Sequence, residues 1–284
     1  MVGANAASGR VLPDPDPRWS DLRKRVASAL VLLPVALACL WYGGLPFTLL
    51  VSGAAFGMAY EWVRMGDRNV WALPNIVLPL IALIAAVLAG DGFEITGLEA
   101  LAVGVIVLLC FGGAMRGRVT LAIGMPYVGL GAVALAWLRA DPIAGFANVL
   151  FLLLIVWGSD IGAYLAGRVF GGPKLAPAIS PGKTWSGAVG GLLAAMCVAA
   201  IAAWRLDPDA SMARACILGA ALGVTAQAGD LLESAIKRHF GVKDSGRLIP
   251  GHGGLLDRFD AVLLVAPVAA ILALCVGRGV VLWQ

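Results

Sequence analysis

Charge is scarce in this sequence: 13% of its 284 residues are Asp, Glu, Lys or Arg, against 60% hydrophobic, and the mean hydropathy is +0.89. So few polar side chains cannot cover a soluble globule of this length, which excludes a water-soluble enzyme. A long basic patch is missing as well. The net charge is only +4 and the cations are scattered between hydrophobic segments, so nucleic acid is not expected as a partner. Histidine occurs twice, and there is no CxxC and no His/Cys cluster. The five cysteines (Cys39, Cys110, Cys197, Cys216, Cys275) each lie in an apolar run and read as small hydrophobes, with neither disulfide nor zinc indicated. A P-loop is also excluded. Gly182-Lys183-Thr184 has the right ending, but GxxxxGK[ST] requires Gly at 177, where the chain has Pro177.

Long apolar runs are what the sequence has in quantity, at about 26–42, 45–63, 70–89, 98–115, 119–138, 146–167, 185–204, 213–236 and 259–282. A membrane-crossing helix uses about 20 apolar residues. The expected fold is therefore all-α, a polytopic membrane helix bundle of about nine transmembrane helices. Residues 1–25 carry Pro13, Asp14, Pro15, Asp16 and Pro17, then Arg23, Lys24 and Arg25. That composition can bury nothing, so a cytoplasmic disordered arm is expected there, and its acidic, Pro-rich lead is wrong for a signal peptide. Residues 26–145 then form N-terminal transmembrane helices, and residues 146–284 a C-terminal transmembrane catalytic region. With the N-terminus inside, seventeen of the 21 Lys and Arg fall on the cytoplasmic side, leaving Arg139, Arg205, Arg214 and Arg278 outside, an N-in/C-out arrangement. Gly pairs four apart (Gly53/Gly57, Gly158/Gly162, Gly187/Gly191, Gly219/Gly223) let backbones approach closely, within the chain or, as the alternative, across a homodimer seam.

Polar residues concentrate in the last four runs. Asp160 lies in FLLLIVWGSDIGAYLAG, and Asp230 and Glu233 lie in the eighth run. A carboxylate that deep costs on the order of 2.5–3.5 kcal/mol on insertion scales, so something must offset it. On a helix, Asp230, Glu233, Ser234 and Lys237 share one stripe. Glu233 can pair with Lys237, whereas no cation shares a turn with Asp230. The connection KRHFGVKDSGRLIPGHGGLLDRFD sets Lys237, Arg238, Lys243, Arg247 and Arg258 beside Asp244, Asp257 and Asp260, among Gly246, Gly251, Gly253 and Gly254. Cations there suit phosphate oxygens, and glycines let backbone approach a ligand. Carboxylates without an imidazole cluster suit Mg²⁺, which shares its shell with waters and substrate phosphates. His252 is open to an anion-contacting or a catalytic role. GRVFGGPKLAPAISPGKTWSG supplies a second cationic loop, with Ser180, Lys183 and Thr184 just before a helix whose N-terminus favours an anion.

At these residues the sequence resembles the phosphatidate cytidylyltransferase (CDP-diacylglycerol synthase) family, whose signature reads S-x-x-K-R-x4-K-D and then H-G-G-x-x-D-R-x-D. Ser234, Lys237, Arg238, Lys243, Asp244, His252, Gly253, Gly254, Asp257, Arg258 and Asp260 satisfy it within 27 residues. Gln227, Gly229 and Asp230 resemble the family's QxGD element, Asp160 and Tyr164 its Dx3Y element, and Ser180, Pro181, Lys183 and Thr184 its SPxKT element. Ser186 departs from the glutamate many members carry and is left out of the site. The resemblance implies transfer of a cytidylyl group from CTP to phosphatidate, giving CDP-diacylglycerol and pyrophosphate for phospholipid synthesis, on the cytoplasmic face of a bacterial inner membrane.

Under that reading Asp230, Asp257, Lys183, Lys237 and Arg258 are catalytic, and Asp160, Ser180, Thr184, Ser234, Arg238, Lys243, Asp244 and His252 bind substrate. Mg²⁺ is held by Asp230 and Asp257 with Asp260 as a third ligand or outer partner, and room remains for a second cation. The partners are CTP, phosphatidate and the bilayer. An ion-coupled transporter is the competing class, since intramembrane carboxylates mark ion paths, but it calls for polar residues through the whole membrane depth. Another CTP-dependent lipid-activating enzyme is the nearer alternative. CDP-alcohol phosphotransferases are disfavoured, because DGxxAR…GxxxDxxxD is absent.

Overall fold

A computed structural model describes residues 17–66, 73–111, 115–207, 209–249, 251 and 253–284. Nine helices run through them: α1 (Pro17–Tyr42), α2 (Gly44–Gly66), α3 (Leu73–Gly90), α4 (Glu94–Phe111), α5 (Met115–Ala140), α6 (Gly145–Phe170), α7 (Trp185–Leu206), α8 (Met212–His239) and α9 (Leu256–Val276). Each apolar run of the sequence carries one. Six helical stretches, within α4 to α9, are long and apolar enough to cross a membrane. Large apolar side chains such as Val103, Ile106, Ile161, Ile217 and Ile271 stand exposed on the outside of the bundle, as in a membrane-type fold.

Three boundaries differ from the hydropathy reading. Helix α1 begins at Pro17, so the arm expected over 1–25 is helical in its last nine residues, and the rest of it lies outside the described residues. The connection after α6 is not a plain loop. It forms a two-stranded antiparallel hairpin, β1 (Lys174–Ala176) and β2 (Ser180–Thr184), pairing Lys174 with Thr184 and Ala176 with Ser180. The ninth run, expected to 282, stops as helix at Val276, and the chain turns back at Gly277 (φ +111°). Its apolar tail is a plug: Trp283 is fully buried against Phe151, ring centroids 4.7 Å apart. Asp141 accepts from Gly279 N (2.6 Å) and Asn148 Oδ1 from Leu282 N (2.9 Å). Burial opposes ionisation of Asp141, yet the N–H groups of Ala144, Gly279 and Ile143 and nearby Arg278 outweigh it and hold the carboxyl below its usual range.

Helix α5 is the hub. It packs on α2, α3, α4, α6 and α9, and two-thirds of its apolar window is buried, against about a fifth for α4 at the periphery. The seam of α6, α7 and α8 is built from small residues. A Cβ at Gly162 would strike Ala194 and Gly190, one at Gly191 would meet Ser159 O, and one at Gly219 would meet Ala199 and Ala195 O. Three of the four glycine pairs thus serve packing within the chain. Gln227 Nε2 stitches the same seam, donating to Ala188 O at 3.1 Å and Ser159 Oγ at 3.5 Å.

Candidate active site

The ends of α6 and α8, the start of α9, the hairpin and the 240–255 loop gather at one end of the bundle. Helix α8 holds them together. Arg238 Nε donates to Ile179 O (3.3 Å) on the hairpin and Arg238 Nη1 to Val242 O (3.5 Å) on the loop. The cation that Asp230 lacks on its own turn comes from the hairpin, where Lys183 Nζ lies 2.5 Å from Asp230 Oδ2, both groups part-exposed. Close contact of α8 and α9 brings in a second acid, since a Cβ at Gly229 would meet Asp260 O and Ala261. Asp160, Asp230 and Asp260 come close enough to interact electrostatically, with Lys183 facing Asp160 and Asp230 and Lys237 facing Asp260.

Asp257 has a different setting. Its Oδ1 accepts from Lys237 Nζ (2.9 Å) and Ser245 N (3.2 Å), and its Oδ2 from Ser245 N (3.1 Å) and Gly254 N (2.9 Å). Lys237 also pairs with Glu233, 2.7 Å away and fully buried, so one ammonium lies between two carboxylates. As arranged, Asp257 pins the loop to the start of α9 and has little lone-pair capacity left for a metal.

Other expected site residues divide between surface and scaffold. Lys243, Asp244 and Arg258 are exposed, Ser234 and Ser180 half-buried, and Asp160 exposed on α6. Thr184 is buried with its hydroxyl committed: Oγ1 caps α7 by accepting from Gly187 N (3.1 Å) and shares a hydrogen bond with Ser186 (3.0 Å). Ser186 also donates to Gly171 O. His252 lies outside the described residues.

Two residues of the first five helices join this centre unannounced by the motifs. Glu61 of α2 is buried, and its Oε2 accepts from Leu256 N (2.9 Å) and Ser245 Oγ (3.3 Å). Gly246 and Gly254 explain themselves here, because a Cβ at either would collide with the Glu61 carboxylate. These glycines make room for an acid of the protein. Tyr127 of α5 packs at a tilt against Trp62 (ring centroids 5.4 Å apart) and carries a buried hydroxyl, without a partner among the described residues, within electrostatic reach of Glu233, Asp260 and Asp230. Glu61→Ala should destabilise the protein by about 1–3 kcal/mol, the cost of leaving a buried donor at Leu256 unpaired. Glu61→Gln, which keeps a carbonyl oxygen, should recover most of that. Thermal unfolding in detergent checks it, and equal midpoints for the two variants would contradict it.

Among the described residues, no three Asp, Glu, His or Cys side chains converge tightly enough to hold a metal by themselves. Mg²⁺ usually takes one or two carboxylates and completes its shell with waters and substrate phosphates. Asp230 and Asp260 fit that donor set once a phosphate arrives.

The profile of the Cytidylyltransferase family matches residues 23–276. Phosphatidate cytidylyltransferase of Brucella suis biovar 1 (strain 1330) is 39% identical over 263 residues, covering 87% of this chain and 91% of that protein. The protein of that name from Staphylococcus saprophyticus subsp. saprophyticus is 36% identical over 259 residues, covering 88% and 98%. That from Staphylococcus haemolyticus (strain JCSC1435) is 34% identical with the same coverage.

Proposed function

The chain belongs to the Cytidylyltransferase family, and from that premise we propose how its residues divide the work of activating phosphatidate with CTP. It is a phosphatidate cytidylyltransferase by kinship, a membrane enzyme making CDP-diacylglycerol and pyrophosphate. A phosphate oxygen of phosphatidate forms a bond to the α-phosphorus of CTP, and the bond from that phosphorus to the bridging oxygen of the β-phosphate breaks. The electron pair leaves with pyrophosphate. The attacking phosphate is already ionised near neutral pH, so orientation and charge are the main demands on the protein.

The observation that carries this reading is the pairing of acids with cations where the hairpin, α8 and α9 meet, Lys183 of the hairpin on Asp230 and Lys237 of α8 between Glu233 and Asp257. Asp230 and Asp260, with Asp160 beside them, are the residues that would hold Mg²⁺. The chemistry a bound Mg²⁺ supplies is neutralisation of phosphoryl oxygens and of the departing pyrophosphate. Lys183 is placed to move from Asp230 onto a phosphate. Arg238 and Asp257 position the hairpin and loop that carry Lys183, Lys243 and Asp244, and Arg258 faces the same end. Incubating the purified protein with labelled CTP, phosphatidate and Mg²⁺ should yield a lipid-extractable cytidine product. No such product would defeat the reading.

Lys183→Ala should lower kcat/KM roughly ten- to a hundredfold, the worth of a charge-assisted contact, with the protein still folded. Full activity would assign Lys183 to the topology signal alone. The topology itself is nine crossings, N-in/C-out, with the site on the cytoplasmic face of a bacterial inner membrane, supported by the distribution of Lys and Arg. In a chain stripped of its native cysteines, Ala178→Cys on the hairpin and Asp209→Cys before α8, both exposed positions, should label from opposite sides. Labelling from one side would refute it.

A further inference from the structure

We propose that the pocket between the end of α2 and the loop after α8 binds the phosphate groups of one of the two substrates, with Arg64 as a contact outside every motif; this rests on the CTP and phosphatidate reading. The pocket measures about 430 Å³ and is lined by Arg64, Lys243, Asp244, Ser245, Gly246 and Arg247, together with the apolar Met65 and Val242. That volume lies within the ordinary range for small-molecule sites, roughly 300–1,000 Å³. Three cations face a single acid. Among the described residues none of the three is held by a carboxylate, whereas Lys183 and Lys237 both are. Arg64 Cζ lies 5.8 Å from the centroid of the Tyr60 ring, a cation–π contact that, unlike an ion pair, uses no carboxylate, and its planar guanidinium suits a phosphate.

The pocket shares a wall with the acidic centre. Ser245 lines it, and the N–H and hydroxyl of Ser245 are spent on Asp257 and Glu61 behind. Two compartments of opposite sign therefore adjoin. Asp160, Asp230, Glu233, Asp257 and Asp260 outnumber two lysines on one side, and Arg64, Lys243 and Arg247 outnumber Asp244 on the other. Both reactants bring phosphate that the acids repel and the pocket attracts. The chemistry recognised is a phosphate monoester or polyphosphate, and it has two sources here, the nucleotide's β- and γ-phosphates or the lipid headgroup. An arginine fork suits either.

The test uses the full-length protein in mixed micelles, as wild type, Arg64→Gln, Arg247→Gln and Arg64→Lys. KM is measured separately for CTP and for a short-chain phosphatidate, and inhibition by inorganic pyrophosphate is followed alongside. Both Gln variants should raise one KM roughly tenfold or more, as loss of a charged contact does, with the other KM within about twofold. A rise in the CTP KM and the pyrophosphate inhibition constant together names the nucleotide; a rise for phosphatidate alone names the lipid. Arg64→Lys should fall between wild type and Gln. Two unchanged KM values in both Gln variants overturn the proposal, as does an equal rise in both. Calorimetric binding of pyrophosphate and of short-chain phosphatidate separates the two levels of the reading. A wild type that makes no CDP-diacylglycerol, yet binds one of them in a manner lost in Arg64→Gln, defeats the function and keeps the pocket. Wild-type binding retained in Arg64→Gln defeats the pocket.

Discussion

Replacing Asp230 by Asn is expected to cut turnover by about three orders of magnitude or more, near 4 kcal/mol of transition-state stabilisation, while the thermal midpoint stays close to wild type. Asn keeps the size of Asp and one carbonyl oxygen but removes the charge. What the fold loses is an ion pair with Lys183 in which both side chains keep a quarter to a third of their exposure, and such pairs contribute little to stability. What the reaction loses is the acid that a cation and a phosphate-seeking lysine share. Asp260→Asn should behave alike, and the double variant should be little worse than either single one, because groups that serve one metal act as a unit. Turnover above about a tenth of wild type at saturating Mg²⁺, a cost below roughly 1.4 kcal/mol, would remove Asp230 from the site.

Asp257→Asn should fail in the opposite order, in stability first. Its carboxylate takes Lys237 and the backbone N–H groups of Ser245 and Gly254, with a tenth of its side chain exposed. An amide cannot supply the charge that Lys237 needs and turns an NH₂ toward donors. Breaking a buried pair of this kind costs about 3–5 kcal/mol, so a clearly lower midpoint in detergent should accompany the loss of activity. The sequence reading, which made Asp257 a metal ligand, anticipates a normal midpoint instead. An Asp257→Asn protein as stable as wild type but without Mg²⁺-dependent turnover would restore that role.

The contrast between these two aspartates marks how far the sequence could be read. The apolar runs located every helix, because burial in a bilayer leaves long uniform stretches. Where apolar residues continued past a turn, as from Cys275 to Trp283, hydropathy could not separate a helix from the plug that follows it. The described motif residues gather at one end of the bundle. The motifs could not pair them, since Lys183 and Asp230 are 47 positions apart in the chain and meet only through α7 and the hairpin. Thr184 illustrates the reverse, a motif residue whose hydroxyl the helix N-terminus consumes. Glu61 was within reach of the argument already applied to Asp160 and Asp230, an acid inside an apolar run that needs partners. Tyr127 carried no such signal, because one tyrosine in an apolar helix is ordinary.

One measurement bears most directly on the central claim that this acid-and-cation centre transfers a cytidylyl group to a lipid phosphate. Purified wild type and Asp230→Asn are each given phosphatidate, Mg²⁺ and CTP labelled at either the α- or the γ-phosphorus. With the α-label, wild type should send radioactivity into the lipid extract, and with the γ-label all of it should stay in water as pyrophosphate, while Asp230→Asn should leave the lipid phase unlabelled with both. Lipid labelled from the γ-position, or α-label transferred equally well by Asp230→Asn, would contradict the account.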